Sequence, residues 1–136
     1  MTAPTPVVAD THAFIWYVDA DRRLSTAARQ AFDDATGANL PIYVPTICLL
    51  EMHYLAAKGK VPGDTPQRLG ALLQQPASAF EAHPLDTDVV VAAMQAPWKL
   101  GDPADRIIAG AARVLDVPLV TRDNRIIESG YVQTVW

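Results

Sequence analysis

The sequence contains a single cysteine, no long apolar run and no excess of basic residues. One thiol excludes an internal disulfide, and the apolar neighbours of Cys48 are typical of a buried thiol in a reduced, intracellular protein. No apolar stretch approaches the roughly 20 residues of a membrane span. The N-terminus also lacks the basic, apolar and small-residue segments of a secretory signal. These absences predict a cytoplasmic protein with no membrane segment.

The charge balance also limits the functions open to this chain. Its formal net charge is −4, from 15 acidic and 11 basic residues, and its pI is about 5.2. Nucleic-acid-binding proteins usually carry a basic surface, so any nucleic-acid site here must be a local feature, which metal ions could assist. The 136 residues are half apolar, enough for a core without disulfides or structural metal. We therefore predict one domain over residues 1–136.

Apolar periodicity and helix-ending residues predict strands that alternate with helices. In chain order we predict a strand at 6–9, helices at 11–20 and 25–36, a strand at 42–44, a helix at 46–58, a helix within 61–75, a strand at 80–85, helices between 86 and 97 and over 102–115, a strand at 117–121, a short helix up to 130 and a last strand at 132–136. Such alternation implies right-handed crossovers between parallel strands. The predicted fold class is a three-layer α/β/α domain with a mostly parallel sheet.

Four acidic residues fall where open parallel sheets bind ligands, beyond the carboxyl ends of the strands. Asp10 and Asp123 each follow a predicted strand, whereas Asp105 lies in the first turn of one helix and Glu51 in the second turn of another. Helices that follow strands begin at this same edge. We expect the four carboxylates to converge there.

Converging carboxylates repel one another, and burying unpaired charge is costly, so the cluster needs a cation. Hard oxygen ligands suit Mg²⁺, with Mn²⁺ as an alternative. One or two such ions can activate water for phosphodiester hydrolysis without histidine or cysteine. Six basic residues, several of them beside the acidic motifs, could hold flanking phosphates, namely Arg22, Arg23, Lys99, Arg106, Arg122 and Arg125. Of these, we single out Arg106, Arg122 and Arg125 as candidate RNA contacts.

Each acid also has a simpler explanation. Asp10 and Asp123 could be helix N-caps or turn residues, because aspartate is among the best N-caps. Glu51 could lie on the exposed side of its helix. Asp102 is best explained as an N-cap, since Pro103 follows it directly.

The histidines and tryptophans lack the spacing of a catalytic or metal-binding motif. We assign surface or packing roles to His12, His53 and His83, and we expect core or interface packing for Trp16, Trp98 and Trp136.

Four segments together resemble a known family, although each segment alone is weak. They are Val-Val-Ala-Asp-Thr-His at 7–12, Thr-Ile-Cys-Leu-Leu-Glu at 46–51, Asp-Pro-Ala-Asp-Arg-Ile-Ile at 102–108 and Val-Thr-Arg-Asp at 120–123. In this order they resemble the PIN-domain VapC toxins. The resemblance extends from Val7 to the last predicted strand, but residues 61–82 match nothing distinctive and could influence RNA choice.

The resemblance implies a PIN-like fold and a metal-dependent endoribonuclease of a type II toxin–antitoxin system. By position in the motifs, the metal-binding acids are Asp10, Glu51, Asp105 and Asp123. Three residues are expected to contact these acids without binding the metal themselves, namely Asp102, Thr11 and Thr121. The resemblance also implies a cognate VapB-type antitoxin that blocks the acidic pocket, and a homodimer.

Two other functions stay open on the residues alone. Phosphoryl transfer through an aspartyl phosphate at Asp10 would call for a second aspartate where this chain has His12. A non-catalytic module could use the same fold to bind RNA or protein, although four intact acids argue against it.

Overall fold

The computed structural model describes residues 3–136, in which short strands alternate with helices. The elements are β1 (Val7–Ala9), α1 (Thr11–Val18), α2 (Thr26–Gly37), β2 (Ile42–Pro45), α3 (Ile47–Ala57), α4 (Thr65–Leu73), β3 (Phe80–His83), α5 (Thr87–Gln95), α6 (Pro103–Leu115), β4 (Leu119–Val120), α7 (Asn124–Ser129) and β5 (Thr134–Val135).

The five strands form one parallel sheet in the order β3-β2-β1-β4-β5. From β1 the chain moves outward through β2 to β3, then crosses back to β4 on the other side of β1 and ends at β5. Parallel strands require such crossovers, and helices form them here. The predicted three-layer α/β/α fold class is confirmed, with a sheet that is wholly parallel.

The core lies around the central strand. All three residues of β1 are buried, as the apolar sequence of a strand covered on both faces requires. The largest fully buried side chains around it come from every part of the chain, including Phe14, Phe32, Ile42, Met52, Leu69, Leu100, Ile108, Leu119 and Ile126.

Most helix ends lie where the sequence places them. Ser25, Asp86 and Asp102 accept hydrogen bonds from backbone N–H groups in the first turns of α2, α5 and α6. Gly59 and Gly130, which lie just beyond α3 and α7, have positive φ angles of 72° and 65°, a conformation in which glycine often ends a helix.

The strand and helix lengths differ from the prediction at several ends. The strand predicted at 117–121 pairs only at Leu119–Val120, after Pro118, which has no N–H to donate. The helix predicted to reach residue 20 ends at Val18, because Ala20 adopts a left-handed φ of 51°. Within residues 3–136, no helix has both the length and the apolarity needed to cross a bilayer.

Candidate active site

The sheet topology brings distant residues to one edge. The strand order reverses direction between β1 and β4, and at such a point the loops diverge and leave a crevice. Ala9 is in register with Val120, and Val120 with Val135. The residues that follow these three positions, Asp10, Thr121 and Trp136, therefore lie side by side at the carboxyl ends of the strands.

A cleft of about 340 Å³ opens at this edge. Its lining comprises Asp10, Thr11, His12, Ala13, Glu51, Asp102, Asp105, Arg122, Asp123, Arg125 and Trp136. A larger hollow of about 700 Å³ is lined by segments between residues 36 and 82, and Glu81 is its one charged lining residue. Of these two, the smaller cleft gathers the acids that the sequence singles out.

Asp10 is held at the cleft by two donors. Its Oδ1 accepts a hydrogen bond from the backbone N–H of Thr11 at 2.7 Å, which caps α1. Its Oδ2 accepts one from the hydroxyl of Thr121 at 2.6 Å. The N-cap explanation is therefore correct for Asp10, and it is compatible with a place in the cleft.

Glu51 reaches the cleft from the second turn of α3. Its Oε1 accepts a hydrogen bond from the hydroxyl of Thr11 at 2.5 Å, and the residue is partly buried. The alternative of a solvent-exposed glutamate is wrong for this side chain. Thr11 and Thr121, expected to contact the acids, each donate a hydroxyl to one of them.

Asp105 lies in the first turn of α6, and its side chain is 15% exposed. Asp102 caps this helix by accepting hydrogen bonds from the N–H groups of Ala104 at 2.8 Å and Asp105 at 3.4 Å. Asp102 thus supports the turn that carries Asp105, as the sequence predicts.

Asp123 caps α7 through the N–H of Arg125 at 2.9 Å, and its own N–H donates to the Thr121 hydroxyl at 3.1 Å. The Arg125 guanidinium lies near two of the acids, Asp105 and Asp123. Its Nη2 lies 3.5 Å from Asp105 Oδ2, and its Nε lies 3.7 Å from Asp123 Oδ1. Arg125 therefore acts as an internal counter-ion for two of the four acids.

Negative charge is poorly compensated in the cleft. Burial and, after it, repulsion from Asp123, Asp10, Asp102 and Glu51 together raise the pKa of Asp105 to about 7. Burial also raises the pKa of Asp10 against the hydrogen bonds from Thr121 and Thr11. Burial likewise raises the pKa of Glu51. A cation that bound between these carboxylates would favour their ionised forms.

The donor chemistry fits a hydrated divalent cation. Among residues 3–136, no three His, Cys, Asp or Glu side chains already form a ready-made metal cage. Mg²⁺ does not require such a cage, because it usually keeps several waters and binds through one or two carboxylates. The carboxylates of the cleft are consistent with this kind of binding. The Arg125 guanidinium, which already contacts Asp105 and Asp123, shows that positive charge is favourable there.

Arg106, a candidate for RNA contact, is used inside the fold instead. Its guanidinium donates hydrogen bonds to four carbonyl oxygens within 3.3 Å, and it lies 5.2 Å from the Trp98 ring. The four carbonyls belong to Met94, Ala96, Pro97 and Leu100. We therefore remove Arg106 from the candidate phosphate contacts, whereas Arg122 and Arg125 line the cleft.

Sequence reasoning missed two residues of the cleft. His12, assigned to the surface or to packing, is exposed and also lines the cleft one turn before Trp16. Its place directly after the Asp10-Thr11 pair was the available signal. Trp136 lines the cleft because β5 pairs with β4, and nothing local in the sequence indicates that pairing.

Three comparisons with known proteins agree with the observed geometry. The family described as PIN domain matches residues 7–130. Ribonuclease VapC22 of Mycobacterium tuberculosis (strain ATCC 25618 / H37Rv) is 31% identical in an alignment of 135 positions that covers 97% of this chain and 99% of that protein.

Two solved structures share the fold at lower identity. VapBC2 from Rickettsia felis, bound to a DNA fragment from their promoter, aligns with a TM-score of 0.68 and 15% identity over 96% of this chain and 97% of that one. DNA-bound VapBC from Salmonella typhimurium aligns with a TM-score of 0.64 and 23% identity over 96% of each chain. The resemblance to VapC-type proteins is confirmed. Since the family match spans all four acids, this chain belongs to the PIN-domain family.

Proposed function

We propose that this chain is a metal-dependent endoribonuclease and the toxin of a VapBC-type toxin–antitoxin pair. The observation that carries the proposal is the meeting of Asp10, Glu51, Asp105 and Asp123 in one cleft. The first and the last of these acids, Asp10 and Asp123, are more than a hundred residues apart in the sequence. A relative named as a ribonuclease, aligned over nearly the full chain, supports the reaction class.

In the proposed site, the four acids hold Mg²⁺, or Mn²⁺ in its place. Bound there, the ion would lower the pKa of a water and neutralise charge that develops on the phosphate. Thr121 and Thr11 orient Asp10 and Glu51 through their hydroxyl groups. Each hydroxyl occupies one lone pair of its acceptor oxygen and leaves the other free for a ligand.

The chain's cations have separate tasks in this proposal. Arg125 balances Asp105 and Asp123 while the cleft holds no metal, and at 62% exposure its side chain has room to move away. Arg122 makes the cleft locally attractive to a polyanion, although the whole chain carries a net charge of −4. The acids alone would repel RNA.

Cleavage of RNA by the purified chain tests the proposal. We expect cleavage with Mg²⁺ or Mn²⁺ and none with chelator. Asp10→Asn should lower the rate by at least ~100-fold, because asparagine keeps the N-cap but removes the charge that binds the ion. Asp105→Asn should have a similar effect.

Asp86→Asn is the matched control for these substitutions. Asp86 also caps a helix through its side chain, but it does not line the cleft. This variant should cleave at the unaltered rate. Cleavage in chelator, or full activity of Asp10→Asn, would overturn the metal mechanism. RNA binding without turnover in any divalent metal would favour the non-catalytic module.

The same variants test the toxin role in cells. The solved relatives are toxin–antitoxin complexes, which supports a VapB-type partner for this chain. Because the proposed substrate is cellular RNA, we place its action in the cytoplasm. Expression of the unaltered chain should slow growth, co-expression of a small antitoxin encoded beside it should restore growth, and Asp10→Asn should be harmless alone. Slow growth with Asp10→Asn would argue against RNA cleavage as the cause.

Two further features of the proposal concern assembly. We propose that residues 1–136 act as one PIN-like domain, since all five strands belong to one sheet. We also propose a homodimer, supported by exposed apolar side chains on α5.

A further inference from the structure

We propose that Trp16 is a positioning residue that holds the guanidinium of Arg122 at the cleft, where Arg122 binds a backbone phosphate flanking the scissile bond. This inference rests on the proposed ribonuclease function and deepens it. It is based on two observations. An aromatic–cation stack forms one wall of the cleft, and within residues 3–136 one arginine of this stack, Arg122, has no acidic partner.

Trp16 is at the centre of this stack. It lies in the second turn of α1 and is only 2% exposed, although it stands beside an open cleft. Its neighbours include the His12 ring at 5.3 Å and the Trp136 ring at 6.0 Å between centroids. Two guanidinium groups also lie over the indole, those of Arg122 at 4.4 Å and Arg23 at 4.8 Å. The buried Trp16 ring thus makes cation–π contacts with two guanidinium groups.

The two arginines on this ring differ in what their N–H groups do. Arg23 Nε and Nη2 donate to the two carboxylate oxygens of Asp21 at 3.0 and 2.8 Å. The ion pairs found among residues 3–136 involve Arg23, Arg68 and Arg125, and Arg122 takes part in none of them. Arg122 also makes no side-chain hydrogen bond within the described chain, yet it lines the acidic cleft. Its donors are available to a ligand.

The chemistry of these free donors favours phosphate as the ligand. A guanidinium stacked on an aromatic face keeps its in-plane N–H groups exposed, and their fork matches two oxygens of a phosphate. The stack also fixes the side chain in advance, so that less conformational entropy is lost on binding. Arg125 is less suited to this role, because its guanidinium lies 3.5 Å from Asp105 Oδ2 and 3.7 Å from Asp123 Oδ1.

A phosphate contact outside the reacting bond has a defined kinetic signature. It stabilises the bound substrate and the transition state about equally, so its loss raises KM and leaves kcat nearly unchanged. It also releases one counterion, so its loss lowers the slope of log K against log salt by about 0.7 for single-stranded RNA. A residue with a purely structural role would not change that slope by itself.

The test measures the Kd of a labelled single-stranded oligoribonucleotide by fluorescence anisotropy, with Mg²⁺ and at several salt concentrations. All proteins carry Asp10→Asn so that the probe stays intact. We expect Arg122→Gln to weaken binding by ~10-fold and to lower the salt slope by about 0.7. Trp16→Leu should reproduce part of both effects, and adding it to Arg122→Gln should cause little further loss. Trp16→Phe, which keeps an aromatic face, should retain most of the affinity.

Arg23→Gln is the matched control. It removes the other guanidinium from the same ring, but that group is already paired with Asp21. Its Kd should stay within about twofold of the parent, and thermal melts should show that each variant is folded. Equal losses for Arg23→Gln and Arg122→Gln would overturn the proposal, as would an unchanged salt slope in Arg122→Gln. Fully additive effects of Trp16→Leu and Arg122→Gln would remove the positioning role of Trp16.

The ribonuclease function and the phosphate contact of Arg122 would be refuted by different results. If the unaltered chain cleaves RNA with metal and Arg122→Gln leaves its KM unchanged, the ribonuclease stands and the phosphate contact is wrong. If the unaltered chain neither binds nor cleaves RNA with metal, both are wrong. If the Asp10→Asn parent still cuts the probe, the role of Asp10 fails, and Arg122 is judged from KM in the unaltered background.

Discussion

Asp105 experiences two opposing electrostatic influences. It lies in the first turn of α6, where the unpaired N–H groups of the helix favour a negative charge by about 0.3–1 kcal/mol. Burial and the neighbouring acids nevertheless raise its pKa to about 7. Each unit of pKa corresponds to about 1.4 kcal/mol, so the helix start and the Arg125 contact are outweighed. The metal-free cleft is therefore a source of instability near neutral pH.

This imbalance predicts a pH dependence of stability for the metal-free chain. The pKa of Asp105 is raised from 3.8 to about 7 by folding, so its stabilising contribution is complete below pH ~4 and is lost as the pH rises through about 7. Asp105→Asn removes this titration. In chelator at pH 8 the variant should be more stable than the unaltered chain by about 1–2 kcal/mol, after allowance for partial solvent screening. Denaturant unfolding between pH 4 and 8 measures the difference.

Asp86→Asn again serves as the control, because it replaces a helix-capping aspartate that does not line the cleft. Added Mg²⁺ should stabilise the unaltered chain more than Asp105→Asn, because a ligand of the folded state adds to its stability. If both proteins lose stability equally between pH 4 and 8 in chelator, Asp105 is not a source of the instability.

At the residue scale, local chemistry made much of the candidate site predictable. Asp10, Asp102 and Asp123 all cap helices, so helix starts alone locate three acids. Capping proved compatible with a place in the cleft, because Asp10 uses one oxygen for its helix and the other for Thr121. The role of Arg106 was not predictable, since the carbonyls it binds come into reach only after the chain has folded around it.

At the scale of elements, α5 and α6 pack so closely that α6 needs a glycine, Gly110, at their contact. A Cβ at Gly110 would lie 2.9 Å from the carbonyl oxygen of Val89 and 3.0 Å from the backbone nitrogen of Ala93. These atoms are backbone, so they cannot move aside as a flexible side chain can. Arg106 strengthens the same junction, because it binds carbonyls at the end of α5 and beyond.

Gly110→Ala should therefore destabilise the chain, although alanine is the better helix former. The gain in helix propensity is about 1 kcal/mol, whereas separating two packed helices costs about 1–3 kcal/mol. We expect a net loss of up to about 2 kcal/mol. The midpoint of urea unfolding gives the value directly.

Gly70→Ala is the matched control within another helix. Gly70 lies in α4, and an added Cβ there would meet only the Leu49 side chain at an ordinary 3.6 Å. That variant should be neutral or slightly more stable than the unaltered chain. An equal effect of the two substitutions would show that propensity, and not the α5–α6 contact, determines their cost.

The element scale also shows where sequence reasoning lost accuracy. Helices with strong caps were placed within a few residues, because a cap is a local interaction. Strand ends were predicted less well: β4 and β5 each have two paired residues where five were expected. A strand ends where its neighbour stops offering partners, and that limit is set by the sheet.

For the whole molecule, the order of strands brings together acids that are only weak motifs in the local sequence. Asp10 and Asp123 meet because β4 crosses back to lie beside β1, and Trp136 joins them because β5 follows β4. The sequence predicts alternation and a parallel sheet, but not this order by itself. The four motifs that resemble VapC toxins supplied the missing long-range information.

The surface of the whole molecule predicts self-association away from the cleft. Val90 and Met94 lie one turn apart on α5 and are 42% and 72% exposed, and Trp98 just beyond is 90% exposed. Grouped exposed apolar side chains of this kind are typical of protein interfaces, and none of the three lines the acidic cleft.

Light scattering coupled to size exclusion should therefore give about twice the chain mass of 14.7 kDa. Met94→Glu should shift the protein to the monomer, because a carboxylate at the centre of an apolar contact would be buried without a partner. Ile127→Glu changes another exposed apolar residue, 37% exposed on α7, and should leave the dimer intact. A monomeric unaltered chain would refute the proposed homodimer, and a dimer that survives Met94→Glu would place the interface on another surface.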